Sequence, residues 1–310
     1  LTEYLGACPK AADSTKLSLQ EYSESGAYAK PRAFCFKNSY MTYLQNNYIM
    51  QDRDTYIRQE SLGPDFEREA LSRMNRFRGM LASDIANEVG FNLNISAKQR
   101  YSNLSFAMIG LSSNSCEEFT KANIVMKSIR FEESGVLKES ISLPPEDFLS
   151  VLDEDSFEDS ALYEYFEQTR FLLSIWKKEY IEGKEDCRFI GAAFWGMTGL
   201  DIYGPLQDCW EETKYKLTHG VVLTPGYKGG MIVVENDLPK MSKKGSIAHV
   251  RPRASKSYHV INGKVYSNSG DIKDIKNAFV LPNGDMMTIQ SFWLNHGYVI
   301  DVVKSLGIEI

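Results

Sequence analysis

One two-part pattern occurs twice in the chain, once near each end. Each copy has a proline followed by a basic residue and small residues, and an aromatic segment further along. The first copy occupies residues 8–13 and 34–42, and the second occupies residues 251–256 and 286–294. The proline and the aromatic residue are separated by 31 residues in the first copy and by 40 in the second. A repeat at this distance indicates two related domains rather than a short solenoid. We therefore expect the chain to begin inside the last part of one domain and to contain the whole of a second.

The net charge of −6 conceals a strong asymmetry along the chain. Residues 132–168 hold twelve acids and one base, a local charge of −11, so the remainder sums to +5. Residues 238–270 hold seven bases, two histidines and no acid. Such a basic stretch is an electrostatic footprint for phosphate groups. A solvated surface loop has the same composition, and both interpretations stay open at this point. The acidic stretch predicts a loop and a solvated helix.

The composition predicts a globular protein without a membrane span. Hydrophobic residues make up 43% and charged residues 25% of the chain, and a span needs about 18 consecutive apolar residues, which are missing here. The chain begins with Leu1 and has no apolar leader, so we expect a fragment rather than a secretory precursor. Its five cysteines form no C-x-x-C pair and, like the four histidines, show no metal spacing. These features predict reduced thiols and a cytoplasmic protein.

Periodicity predicts an α/β fold, in the mixed α+β sense, with a mixed sheet flanked by helices. Apolar residues recur at helical spacing over residues 66–77, behind a capping Asp65, and again over residues 205–218. Two apolar runs, 122–131 and 136–143, flank a Glu-Glu-Ser-Gly segment and predict a β-hairpin. Further strands are predicted within residues 170–250, and a closing helix is expected near the end of the chain.

Residues 80–131 resemble the front half of MutH, the mismatch-repair endonuclease that nicks at GATC. The resemblance begins in the segment Leu-Ala-Ser-Asp-Ile-Ala-Asn-Glu-Val-Gly-Phe at 81–91 and continues through the apolar segment 104–111. It then includes Glu-Phe at 118–119 and Val-Met-Lys-Ser-Ile at 125–129, where the family has Asp-Phe and Val-Glu-Leu-Lys-Thr-Ile. The order of these segments carries the resemblance, because each of them alone is short.

The back half of the chain is similar to the same family. Trp-Glu-Glu at 210–212 resembles its Trp-Glu-Glu helix, Val-Arg-Pro-Arg-Ala at 250–254 resembles its Ile-Arg-Pro-Lys-Ala, and Ser-Phe at 291–292 resembles its Asn-Phe. The N-terminal copy of the repeat resembles this same family tail. Chains with two MutH-like halves are the GATC-cutting, Sau-type type II restriction endonucleases. The resemblance implies that residues 1–55 are the tail of a catalytic MutH-like domain and residues 64–310 a C-terminal MutH-like domain.

This family belongs to the PD-(D/E)xK nucleases, which use two carboxylates to hold Mg²⁺ and a nearby lysine to assist the attacking water. The aligned positions are Glu118, Val125 and Lys127, so the resemblance implies that the second carboxylate is lost. We therefore expect no catalytic residues and no metal in this fragment, with Mg²⁺ required by the full-length enzyme. The alternative is that Glu117, or one of the adjacent pair at 132–133, completes the site instead.

The resemblance also implies a DNA-binding surface. Eight residues are assigned to it: Arg251, Arg253, Lys256, Lys243, Lys244, Met287, Thr288 and Gln290. In the family the Arg-Pro-Lys segment enters the major groove, where arginine pairs with guanine O6 and N7. The lysines would neutralise phosphates, and Gln290 would pair with adenine. Met287 stands where the family has a tyrosine that senses methylation.

Together these features lead to one hypothesis with two competitors. The chain is expected to bind GATC in double-stranded DNA as the allosteric effector domain of a bacterial type II restriction endonuclease. Its partners would be that DNA and the N-terminal catalytic half of the same polypeptide, with no membrane involved. The first competitor is an active GATC endonuclease. The second is a structural or protein-interaction module with an incidental basic surface.

Overall fold

The chain divides into two compact units in a computed structural model. One unit comprises Leu1–Lys138, Tyr165–Met197 and Ile300–Ile310, and the other comprises Glu139–Glu164 and Thr198–Val299. The structure describes residues 4–9, 20–22, 27–29, 31–49, 62, 65–94, 97, 99–112, 116–143, 148–254 and 256–310. Within this part of the chain, every helix is too short or too polar to span a bilayer.

Helices and strands alternate along most of the described chain. The α-helices are α1 (Asn38–Leu44), α2 (Phe66–Asn75), α3 (Ala82–Glu88), α4 (Arg100–Ile109), α5 (Glu117–Ala122), α6 (Ala161–Gln168), α7 (Gly199–Asp201), α8 (Gln207–His219) and α9 (His296–Ser305). Short 3-10 or π turns occupy Gln45–Ile49, Phe148–Leu152, Phe157–Asp159, Ile202–Leu206 and Ile272–Asn277. The strands are β1 (Leu5–Pro9), β2 (Gln20–Tyr22), β3 (Ala27–Ala29), β4 (Arg32–Phe36), β5 (Ile124–Phe131), β6 (Ile141–Ser142), β7 (Arg170–Ile181), β8 (Lys184–Trp195), β9 (Leu223–Lys228), β10 (Met231–Asn236), β11 (Ala248–Pro252), β12 (Tyr258–Ile261), β13 (Lys264–Ser267), β14 (Ala278–Val280), β15 (Met286–Thr288) and β16 (Gln290–Leu294).

The first unit is built on a three-stranded mixed sheet in the order β5-β7-β8. Strand β5 runs parallel to β7, with Val125 opposite Phe171, and β7 runs antiparallel to β8. Helices α2 to α5 bury their apolar faces in the same core as this sheet, around fully buried Trp176 and Phe119. A parallel pair requires a long connection, so it joins residues far apart in sequence and is decided by packing rather than by local pattern.

The second unit holds three small antiparallel sheets in the described chain. Their strand orders are β11-β16-β6, β13-β12-β15-β14 and β10-β9. Helix α8 buries Trp210 and Leu217. The Trp210 indole Nε1 donates to Glu154 Oε2 over 2.6 Å, so one carboxylate of the acidic stretch has a structural partner within this unit.

Several predicted elements are confirmed and one is wrong. Helix α2 begins directly after Asp65, and α8 lies within one or two residues of the predicted bounds. The predicted hairpin between 122–131 and 136–143 does not form. Strand β5 pairs with β7 instead, and β6 pairs with β16. The physical reason is burial, because the apolar side chains of β5 find a larger buried partner in the long strand β7 than in the short segment after the turn.

The mixed α/β character predicted from periodicity is confirmed. We predicted that residues 1–55 are the tail of a catalytic domain and residues 64–310 a second domain. This assignment of each segment to a MutH-like domain stays a prediction. The boundary itself, at Gly63 and Pro64, lies outside the described residues. Residues 31–49 belong to the same compact unit as β5.

The expectation of five reduced thiols is wrong at one pair. Cys8 in β1 and Cys35 in β4 form a disulfide, with their Cα atoms 6.1 Å apart. The two strands pair antiparallel, and the register brings the two cysteines onto neighbouring positions although 27 residues separate them in sequence. The spacing of the cysteines along the sequence does not predict this pairing. The remaining three cysteines, Cys116, Cys187 and Cys209, are free and buried.

Candidate active site and nucleic-acid interface

The aligned catalytic positions lie at the junction of α5 and β5 in the first unit. Helix α5 ends at Asn123, which adopts the left-handed conformation with φ 53° and directs the chain straight into β5. Glu118 lies in the first turn of α5. Val125 and Lys127 are both half-buried in β5, and the period of two along a strand places them on the same face. The three positions therefore lie on two consecutive elements, and their correspondence to a catalytic site stays a prediction.

The Glu118 carboxylate has partners within the protein. The side chain is 9% exposed. Its Oε1 accepts a hydrogen bond from the Leu62 backbone N–H over 3.0 Å, and its Oε2 accepts one from the Cys116 thiol over 2.8 Å. Burial, reinforced by Glu118, raises the pKa of Cys116 to about 11, so this thiol stays protonated and donates. Each carboxylate oxygen of Glu118 thus accepts a hydrogen bond that holds the local fold.

Two of the three carboxylates that were considered as replacements, Glu117 and Glu132, are engaged in ion pairs, and the third, Glu133, is exposed. Glu117 forms an ion pair with Lys121 and accepts from the Tyr43 hydroxyl over 3.0 Å; the bond from Lys121 lowers the pKa of Glu117. Glu132 Oε1 lies 3.5 Å from Lys138 Nζ. No group of three or more His, Cys, Asp or Glu side chains within the described ranges is arranged to hold a metal ion. Mg²⁺ requires several hard oxygen ligands in octahedral geometry, and the donors at this junction do not fit it.

A cavity of about 530 Å³ adjoins Val125 in the first unit. Neutral hydroxyl and amide groups and a few apolar side chains line it: Ser39, Thr42, Tyr43, Asn46, Asn47, Phe119, Thr120, Asn123, Ile124 and Val125. Lys37 and Ser39, at the start of α1, also cap the end of α5. Lys37 Nζ donates to Ala122 O over 2.9 Å, and Ser39 Oγ donates to Lys121 O over 3.0 Å. Among the described residues, the N-terminal segment thus packs on the end of α5 and adds hydroxyl and amide groups to the lining of the cavity.

The predicted base-reading arginines lie at the end of β11 in the second unit. Strand β11 pairs with β16, which places Arg251 opposite Ser291. Arg251 is exposed, and its guanidinium lies 4.3 Å from the centroid of the Trp293 ring. A guanidinium over an aromatic ring is held there by a cation–π interaction. Its N–H groups form the planar fork that recognises a guanine edge or a phosphate.

The other predicted cations differ in how they are held. Arg253 is exposed, but its Nη1 donates to Leu143 O over 2.6 Å, which fixes one edge of the guanidinium. Lys243 Nζ lies 2.6 Å from Glu212 Oε2, and Lys256 Nζ lies 3.8 Å from Asp274 Oδ2. Lys244 is exposed. The basic stretch therefore forms a charged surface in which some cations are already partly neutralised.

Met287, Thr288 and Gln290, which were also assigned to the DNA-binding surface, are all buried. Thr288 Oγ1 accepts from the Tyr258 backbone N–H over 2.9 Å, and Gln290 Nε2 donates to Thr288 O over 2.7 Å. Gln290 Oε1 is buried without a hydrogen-bond partner among the described residues. Strand β15 lies between β12 and β14, and β16 lies between β11 and β6. In this conformation the three side chains present no atoms to a DNA groove, and their DNA-binding role stays a prediction.

Trp293 was not identified from the sequence. Its position follows from the β11–β16 register, because Ser291 and Trp293 lie on the same face of β16 and Arg251 is paired with Ser291. The only available signal was the alternation of residues along 290–294. That alternation identifies a strand but not the strand that pairs with it.

Comparisons with known proteins show which proteins this chain is similar to. No family model matches the chain, but its likeness to a restriction endonuclease extends along almost its whole length. That relative is the type II restriction enzyme Sau3AI of Staphylococcus aureus, with 29% identity over 336 residues, covering 99% of this chain and 65% of the enzyme. The chain thus spans just under two thirds of the relative's length.

A second likeness covers much less. The DNA-directed RNA polymerase subunit beta' of Ureaplasma urealyticum serovar 10 is 29% identical over 146 residues, 43% of this chain and 10% of that subunit. The match to the restriction enzyme covers the whole order of elements, including α5, β5 and β11. It supports the expectation that this chain is a relative of a restriction endonuclease, a class of nuclease that binds DNA.

Proposed function

We propose that this chain is the GATC-binding, catalytically degenerate MutH-like half of a type II restriction endonuclease. The observation that carries the proposal is Val125, an apolar residue where this nuclease class needs a carboxylate, in a chain that resembles a restriction enzyme along 99% of its length. The engagement of Glu118 with Leu62 and Cys116 supports the same conclusion. In the complete bacterial, cytoplasmic enzyme, Mg²⁺ would serve the N-terminal catalytic half.

DNA binding does not depend on the lost chemistry. Arg251 offers an exposed guanidinium held over Trp293, and the exposed lysines of the basic stretch supply charge for the phosphates. In this proposal Arg251 pairs with a guanine of GATC, whereas the lysines position the protein without reading sequence. The domain then acts as an allosteric effector, which requires that DNA bound here changes the activity of the catalytic half.

The first experiment compares Arg251→Ala with wild type on a GATC duplex and on a scrambled duplex at equal salt. Loss of one bidentate contact to guanine costs about 1–3 kcal/mol of discrimination. The preference for GATC is therefore expected to fall by about tenfold or more. Arg78→Ala, which removes an exposed arginine outside the basic stretch, is the matched control. An Arg251→Ala protein that still discriminates GATC as well as wild type contradicts the proposal.

A cleavage assay separates the competing functions. The wild-type chain is incubated with a GATC duplex and Mg²⁺, and the products are resolved on a gel. Binding without cleavage supports the effector domain. Cleavage that Glu118→Gln abolishes would instead establish an active endonuclease. Absence of any preference for GATC would favour the structural or protein-interaction module.

A further inference from the structure

The β9–β10 hairpin is an exposed ribbon in the second unit. Its strands are joined by Gly229 and Gly230, both with positive φ (58° and 79°), the conformation that a two-residue hairpin turn requires. The register pairs Lys228 with Met231 and Tyr227 with Ile232. Neighbouring pairs along a ribbon project to opposite faces, so Tyr227 lies on one face of the tip, and Met231 and Lys228 lie on the other.

The tip of this hairpin exposes large apolar side chains. Tyr227 is 81% exposed and Met231 is 61% exposed. A two-stranded hairpin is only marginally stable by itself in water, and apolar side chains exposed on both faces of its tip are available to a partner. The hairpin contains one base, Lys228, beside the tip, and one acid, Glu235, towards the far end of β10. The tip is thus apolar with a single positive charge.

The ribbon is attached to the basic stretch. The Asn268 side-chain amide forms two hydrogen bonds with the Ile232 backbone. Its Oδ1 accepts from Ile232 N over 2.6 Å, and its Nδ2 donates to Ile232 O over 2.7 Å. Asn268 belongs to residues 238–270, which hold seven bases and no acid. An extended polyanion is therefore the partner whose charge complements this part of the molecule.

We propose that the β9–β10 hairpin is a second DNA-contacting element. A two-stranded β-ribbon fits the major groove of B-DNA, which is about 12 Å wide. The tip enters a groove of the bound duplex, where Tyr227 and Met231 contact base and sugar edges and Lys228 contacts a phosphate. The inference rests on the proposed function, since it assigns a further contact surface to the same DNA.

The test compares the Tyr227→Ala, Met231→Ala double variant with wild type, by fluorescence anisotropy on GATC and scrambled duplexes. The double variant is expected to lose about tenfold in affinity for both duplexes, with its preference for GATC retained. Tyr180→Ala is the matched control, because Tyr180 is also exposed, at 52%, near the turn of another hairpin. Circular dichroism establishes that each variant is folded.

A second variant tests the phosphate contact. Lys228→Gln is expected to reduce the slope of log affinity against log salt by about 0.9, the value for one phosphate contact. Unchanged affinity in the double variant, together with an unchanged salt slope in Lys228→Gln, overturns the inference. So does sedimentation showing that the double variant disrupts self-association while DNA affinity stays at the wild-type value. If wild type itself binds neither duplex, the proposed function fails before the hairpin is in question.

Discussion

At the scale of single residues, Glu118 is an acid whose carboxylate is held within the protein. Its oxygens accept hydrogen bonds from the Leu62 N–H and the Cys116 thiol, and the residue lies in the first turn of α5, where a negative charge is stabilised by the helix dipole. We expect these bonds to stabilise the junction of α5 and β5.

Replacing Glu118 with alanine should therefore affect stability. The change leaves the Leu62 N–H and the Cys116 thiol without their acceptor, and an unsatisfied buried donor costs about 1–3 kcal/mol. We expect urea denaturation to show a loss of about 2 kcal/mol, and a smaller loss for Glu118→Gln, which keeps a carbonyl acceptor. Glu133→Ala, at an exposed position, is the control. Equal unfolding free energies for Glu118→Ala and wild type would disprove this role.

His259 is a buried titratable group in the second unit. Burial lowers its pKa to about 4, and its Nδ1 lies 3.4 Å from Thr288 Oγ1. The unfolded chain binds a proton to this residue near pH 6.5, whereas the folded chain resists protonation until about pH 4. His259 therefore adds fully to the free energy of unfolding at pH values above its unfolded pKa of 6.5. This contribution declines as the pH falls from 6.5 to about 4.

Acidification should thus destabilise wild type more than a variant without this histidine. Between pH 7.5 and pH 5, we expect His259 to account for a loss of about 2 kcal/mol of unfolding free energy. Urea denaturation of wild type and His259→Gln at both pH values measures the difference. His219→Gln, at an exposed histidine, should behave like wild type. The same pH dependence in wild type and His259→Gln would contradict the assignment.

At the scale of elements, the N-terminal strands β1 and β4 are joined by both backbone pairing and a covalent bond. Their register runs from Leu5 opposite Phe36 to Pro9 opposite Arg32, and the Cys8–Cys35 disulfide links the two strands. A crosslink stabilises mainly by restricting the unfolded chain. These strands precede Lys37 and Ser39, which cap α5, so the crosslink supports the segment that packs on the end of this helix.

Thiol titration tests this arrangement. Denatured without a reductant, the chain should expose three reactive thiols, and after reduction all five should react. The Cys8→Ser, Cys35→Ser double variant should expose three under both conditions. Five reactive thiols in the non-reduced, denatured wild type would show that the disulfide is absent.

At the scale of the whole molecule, positive charge is concentrated in one segment although the net charge is negative. The net charge of the chain is −6, yet residues 238–270 contain seven lysines and arginines and no aspartate or glutamate. Electrostatic interactions are screened over about 8 Å at physiological salt, so a bound phosphate responds to the nearest side chains rather than to the net charge. Ion pairs formed inside the protein then decide which cations remain for DNA.

Lys243 and Lys244 offer a direct comparison of paired and exposed cations. Lys243 is held by Glu212, whereas Lys244 is exposed. Lys244→Gln should lower the salt slope of DNA binding by about 0.9, and Lys243→Gln should lower it less, because that lysine must first leave its carboxylate. Anisotropy titrations at several salt concentrations give both slopes. Equal changes in the two variants would mean that the Glu212 pair does not persist in the complex.

The sequence by itself determined the features that depend on local pattern and residue order. These are the mixed α/β character, helices such as α2 and α8, the basic stretch, the absence of a carboxylate at Val125, and the likeness to a restriction endonuclease. Most of them follow from a periodicity or motif that is complete within a short segment, and the likeness follows from the order of several such segments along the chain. The sequence also brought Glu118, Val125 and Lys127 together, because α5 and β5 are consecutive.

Only the tertiary structure decided what depends on pairing between distant segments. It placed β5 beside β7 rather than in a hairpin, joined Cys8 to Cys35, and set Arg251 over Trp293. It also buried Gln290, which sequence alone assigned to a DNA groove. The reason is that the sequence of a strand shows the alternation of its own apolar and polar side chains but does not show which strand pairs with it. Register and burial are settled by the free energy of packing the whole unit.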